Sequence, residues 1–70
     1  MYTEVFPARI KNAREENKLT QAEAAKELNI SQSVLSQYET GERLPKLETL
    51  GKMSKLYCHT TDYFLGLADD

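Results

Sequence analysis

QAEAAKELNISQSVLSQYET, residues 21–40, reads as a short helix, a tight turn and a second helix. Thr20 and Glu23 form a T-x-x-E capping box. The hydroxyl accepts from the Glu23 N–H and the carboxylate reaches back to the Thr20 N–H. Leu19, just before the cap, is placed to staple against Ala24. Ala22, Ala24, Ala25 and Leu28 give a thin helix that a partner can approach closely. The helix ends at Asn29, one of the few non-glycine residues that tolerate the left-handed conformation. Ile30 points inward from the turn and Ser31 caps the second helix. At 100° per residue, Leu35 and Tyr38 set that helix's core direction. Ser33, Ser36, Gln37 and Thr40 lie opposite, with Gln32 at the edge and Val34 on a boundary. Glu39 falls on the core side, an odd place for a carboxylate. Gly41 ends the helix.

Working outward, Phe6, Ile10 and Ala13 fall at i, i+4, i+7, the stripe of an amphipathic helix over about residues 6–16. Met1 to Val5 show no pattern, and Pro7 suits a first turn. Arg9, Lys11, Glu15 and Glu16 are free to stay solvated. After Gly41, Pro45 forces extended geometry. Leu47, Leu50, Met53 and Tyr57 then mark a fourth helix over about 46–57. Thr60 caps a fifth, Thr61–Leu65, with Phe64 and Leu65 inward. Gly66 stops it and Leu67–Asp70 form a tail. No strand pattern or repeat occurs. The expectation is all-α: a compact five-helix domain spanning 1–70, with its core in 6–66.

Seventy residues make one domain near the lower limit for folding without disulfides or metal. The single Cys58 excludes an internal disulfide. Cys58 and His59 are adjacent with no third ligand at metal spacing, so neither metal nor cofactor is expected. No apolar run is long enough for a membrane span, and the N-terminus lacks a signal-peptide core, which points to the cytoplasm. The glutamates show no convergent pair with a nucleophile, so no catalysis is expected, and no small-molecule pocket is legible.

Net charge is −2, against the basic balance usual in nucleic-acid binders. Its distribution is uneven: residues 41–56 carry Arg43, Lys46, Lys52 and Lys55 against two glutamates, while 57–70 carry only aspartates. A mildly basic face opposite an acidic end follows. On the second helix, Gln32, Ser33, Ser36 and Gln37 are neutral donors and acceptors short enough to reach a base edge. A glutamine amide pairs bidentately with adenine, and serine takes either role. The plain alternative is a Ser/Gln-rich helix that merely faces water.

Leu19–Gly41 (LTQAEAAKELNISQSVLSQYETG), extended by Pro45, Leu47-Glu48-Thr49-Leu50 and Asp62-Tyr63-Phe64-Leu65-Gly66, resembles the lambda-repressor-like (Cro/XRE-type) helix-turn-helix family. The resemblance covers Phe6 to Gly66. It implies that Gln21 contacts a DNA phosphate and that Gln32, Ser33, Ser36 and Gln37 read bases in the major groove of double-stranded DNA. It also implies that Arg43 and Lys46 meet the backbone and that Ala25 is the close-packing position between the two helices. Arg14 matches a helix-one arginine that pairs with an acid at the place of Glu39, so an Arg14–Glu39 ion pair is expected. The implied function is a sequence-specific transcriptional regulator, a repressor, bound as a homodimer to a pseudo-palindromic operator through apolar residues around Tyr63 and Leu67. Alternatives are an antitoxin or restriction-system controller of the same fold, and a protein-interaction module that does not touch DNA.

Overall fold

The structure is a computed structural model that describes residues 2–69, with side chains from Glu4 onward. Five helices follow in order: α1 (Tyr2–Glu16), α2 (Gln21–Leu28), α3 (Gln32–Thr40), α4 (Leu47–Tyr57) and α5 (Thr61–Leu65). No strand occurs among the described residues. The all-α, five-helix expectation therefore holds, with the helix-turn-helix at α2 and α3.

Each helix contributes to one core. Phe6, Ile10 and Ala13 come from α1, Ala24, Ala25 and Leu28 from α2, Leu35 and Tyr38 from α3, Leu50, Met53 and Tyr57 from α4, and Phe64 from α5. Phe64 is the hub of the far side, packed edge-on against Phe6 and Tyr57 at centroid distances of 6.4 and 6.3 Å. Such edge-to-face pairs add modestly to the burial of the rings themselves. Leu19 and Ile30 lie half-buried against this core, on either side of α2.

The helix ends explain how five helices fit in so few residues. Lys18, Asn29 and Cys58 all adopt positive φ (58°, 58° and 61°), and Gly66 does so at 78°. After each, the next amide reaches back to a carbonyl five residues earlier: Leu19 to Arg14, Ile30 to Ala25, His59 to Ser54, and Leu67 to Asp62. This Schellman closure satisfies the last carbonyls of a helix and reverses the chain at once. Lys and Cys at two of these places show that the hydrogen bonds, not glycine's freedom alone, set the turn.

Three expectations are corrected in α1. The helix begins at Tyr2, not near Phe6, and Pro7 lies inside it. Proline there forgoes one helical N–H bond, and tertiary packing compensates. Val5 Cγ2 lies so close to Gly66 that a Cβ on that glycine would sit 2.7 Å away, and the Pro7 ring is 3.3 Å from the same point on Gly41. The N-terminal half of α1 thus rests on the glycine caps of α3 and α5. Arg9, expected in solvent, instead donates from Nη1 to the carbonyls of Tyr63 (2.6 Å) and Ala68 (2.7 Å). Its guanidinium lies 4.6 Å from the centroid of the Tyr63 ring. The supposed tail is held to α1 by that contact.

Candidate nucleic-acid interface

The α2–α3 unit is built by its caps. Thr20 Oγ1 accepts from the Glu23 N–H (3.1 Å) and Glu23 Oε1 accepts from the Thr20 N–H (2.9 Å), so both halves of the capping box form. The hydrogen bonds from Thr20 hold the Glu23 carboxyl below its ordinary range. Ser31 Oγ accepts from the Val34 N–H at 3.1 Å and starts α3. Only Asn29, Ile30 and Ser31 separate the two helices. The angle between α2 and α3 is thus fixed by local bonds at both sides of the turn.

α3 has two dissimilar faces. Leu35, Tyr38 and Glu39 are buried. Gln32 and Ser33 are exposed, and Ser36 and Gln37 are half-exposed. Among the described residues none of these four side chains makes a hydrogen bond, leaving two amides and two hydroxyls open on one face. Beyond them, the Arg43 N–H donates to the Gln37 carbonyl at 3.3 Å, folding the loop back along the end of α3. Arg43 and Lys46 are exposed, and neither forms an ion pair among the described residues. Lys46 occupies the N-cap of α4 without a side-chain cap bond.

Behind this face lies the most organised polar cluster in the molecule. Arg14 Nε donates to Glu39 Oε2 at 2.8 Å and Arg14 Nη2 to Glu39 Oε1 at 3.1 Å. Both residues are under 10% exposed (8% and 9%), so the pair is desolvated. A bidentate fork with matched charge is the arrangement that can compensate that desolvation. The hydrogen bond to Glu39 pushes the Arg14 guanidinium above its ordinary value. Arg14 Nη1 also donates to the Leu19 carbonyl at 2.8 Å, tying the α1–α2 turn into the cluster.

A contact with no signal in the sequence completes the cluster. Gln21 Nε2, at the first position of α2, donates to Glu39 Oε1 at 3.1 Å. Glu39 thereby joins α1, α2 and α3 through one carboxylate. Tyr57 of α4 lies near enough to feel both charges, and burial pushes its hydroxyl up to about 12. That hydroxyl has no hydrogen-bond partner among the described residues.

Elsewhere the chemistry is sparse. Among the described residues no three His, Cys, Asp or Glu side chains gather as a metal site, and no helix is long and apolar enough to cross a membrane. His59 lies flat against the Tyr63 ring at 4.1 Å and meets Glu16 Oε1 through Nε2 at 2.9 Å. Tyr63 is therefore largely covered, while Leu67 beside it is 75% exposed. A second apolar area, a groove of about 280 Å³, is lined by Phe6, Leu44, Pro45, Leu47, Leu50 and Leu65.

Comparison with known proteins matches residues 10–57 to a helix-turn-helix family. The chain is 50% identical over 58 residues to the HTH-type transcriptional regulator ImmR of Bacillus subtilis, covering 83% of this chain and 46% of that protein. It is 36% identical over 53 residues to the cryptic phage CTXphi transcriptional repressor RstR of Vibrio cholerae, covering 76% and 48%. Similarity to multiprotein-bridging factor 1 of Debaryomyces hansenii is 39% over 46 residues, covering 66% and 31%. The chain spans about half the length, or less, of each of these three relatives.

Proposed function

Because the chain belongs to the Cro/C1-type helix-turn-helix family, we propose that it is a sequence-specific regulator of transcription, a repressor, that acts on double-stranded DNA in the cytoplasm by occupancy and not by catalysis. One observation carries this reading: Gln32, Ser33, Ser36 and Gln37 form an unbonded face of neutral donors and acceptors on a helix whose opposite face is buried. A solvated helix of no function would more often carry Lys and Glu there, as α4 does with Glu48 and Lys52, paired at 3.6 Å. In the major groove those four side chains read base edges. Gln21, Arg43 and Lys46 bind phosphates and set the orientation.

So few readout residues specify only a short half-site. The protein then binds as a homodimer to a pseudo-palindrome whose half-site centres lie about 10 bp, or a multiple, apart. Exposed Leu67 next to Tyr63 belongs to the dimer surface. With a net charge of −2, non-specific affinity is weak, so dimerisation supplies part of the binding. A monomer in sedimentation, free and on operator, overturns this part of the reading.

Selection from random duplexes at moderate salt tests the function. Wild type enriches a two-fold related sequence, and Gln32→Ala combined with Gln37→Ala relaxes it. Each lost bidentate contact lowers base discrimination by about 1–3 kcal/mol. A second reading, a module that docks a protein partner, draws on the similarity to a multiprotein-bridging factor. It takes over if wild type enriches no sequence.

A further inference from the structure

We propose that Glu39 is a positioning residue for DNA contact: its carboxylate fixes the flip of the Gln21 amide, so that Gln21 meets phosphate as a donor. This rests on the reading of the α2–α3 unit as a DNA-binding surface.

A glutamine amide is nearly symmetric in shape and opposite in chemistry at its two ends. Oε1 only accepts and Nε2 only donates, and a free side chain presents either. Phosphate oxygens only accept, so an amide turned the wrong way repels them. Gln21 is half-buried and its Nε2 lies 3.1 Å from Glu39 Oε1. A carboxylate cannot donate, so the reverse flip would set two acceptors against each other. Nε2 carries two hydrogens. Glu39 takes one and the other remains for a phosphate.

Glu39 can impose this only if it cannot turn away. Both of its oxygens are held by Arg14, at 2.8 and 3.1 Å, and the residue is 9% exposed. The same guanidinium neutralises a carboxylate that would otherwise repel the backbone it helps to bind. The ion pair therefore does more than join α1 to α3. It orders a donor at the start of α2, and a phosphate on that donor is in turn registered against the end of α3.

The test is a double-mutant cycle on the operator recovered by selection. Affinities of wild type, Gln21→Ala, Glu39→Gln and the double variant are measured by fluorescence anisotropy at one salt concentration. In the wild-type background Gln21→Ala weakens binding roughly tenfold, the scale of one charge-assisted hydrogen bond. In the Glu39→Gln background, where an amide facing an amide leaves both flips open, the same change costs less than about threefold. Equal factors in the two backgrounds, or no loss with Gln21→Ala, overturn the proposal, because a merely structural Glu39 gives additive effects. Should Glu39→Gln fail to fold, the free protein decides. An acidic residue in the first turn of a helix is ordinarily favourable, yet Gln21→Glu melts below Gln21→Ala because its carboxylate faces Glu39. Melting at or above Gln21→Ala overturns the proposal. If wild type enriches no sequence, the DNA reading falls and takes this inference with it. An enriched operator with an additive cycle removes the inference alone.

Discussion

Arg9 and Arg14 lie five residues apart on α1, about 140° around the helix, and each holds a different half of the chain. Arg14 is buried and grips the Glu39 carboxylate and the Leu19 carbonyl, which fixes α2 and α3. Arg9 is half-buried and holds the carbonyls of Tyr63 and Ala68 while covering the Tyr63 ring, which fixes α5 and the residues after it. Among the described residues its carboxylate partner is Asp69, 3.9 Å away and fully exposed. One arginine is bound into a charge-matched cluster and the other is bound mainly by neutral groups. The first arrangement is costly to break because a charge is left behind in a dry place, and the second is not.

The largest expected effect follows. Arg14→Met leaves Glu39 buried with only the Gln21 amide for compensation, and the fold loses about 3 kcal/mol in thermal or urea unfolding. A variant that melts like wild type shows that the pair contributes nothing to stability and removes the contrast between the two arginines.

The same cluster predicts a pH response through Tyr57. Its hydroxyl is raised to about 12 by burial, against an ordinary value of about 10 in the unfolded chain. A folded value above the unfolded one means that stability is intact below pH 10 and falls as the pH rises towards 12. Over that window the unfolded state binds one proton fewer than the folded state, and the loss reaches about 2–3 kcal/mol. Tyr57→Phe removes this part of the alkaline slope. It also melts no lower than wild type at neutral pH, because the lost hydroxyl was buried without a partner. An unchanged slope in the phenylalanine variant would place the alkaline transition elsewhere, outside the Arg14 cluster.

The two halves also differ in how far they were legible. Around α2 and α3 the signals are local: Thr20 with Glu23, Ser31 with Val34, Asn29 and Gly41 at helix ends. Each involves residues within about four positions, where spacing determines contact. The outward face of α3 was legible for a related reason, since Leu35 and Tyr38 fix the rotation of a short helix. Around α1 and α5 the contacts are distant in sequence, Arg9 and Ala68 being 59 positions apart. Val5 has no periodic partner before Phe6, so the sequence pattern marks no helix in the first turn of α1. It is helical because the glycine surface of Gly66 receives Val5. Arg14–Glu39 follows mainly from the family resemblance, supported by Glu39 falling on the core side of its helix and Arg14 lying next to core Ala13. The Gln21–Glu39 bond, 18 residues apart, is not legible because an amide on a helix surface carries no sequence mark of its partner.

The smallest effect is also the one that most directly separates the two halves. Arg9→Met keeps an unbranched aliphatic side chain and removes two hydrogen bonds and a cation–π contact. The released carbonyls of Tyr63 and Ala68 are near the surface, where water can replace the guanidinium, so the loss is about 1 kcal/mol and not the sum of the contacts. Hydrogen exchange locates it. The Gly66 and Leu67 amides, which close the end of α5 on the carbonyls of Tyr63 and Asp62, exchange faster. The Val34 and Leu35 amides at the start of α3 keep their wild-type protection. On the DNA reading, operator affinity stays within about twofold of wild type, because no readout or phosphate residue depends on Arg9. Loss of protection in α3 together with α5 would mean that α1 transmits strain along its length and that the molecule opens as a single unit.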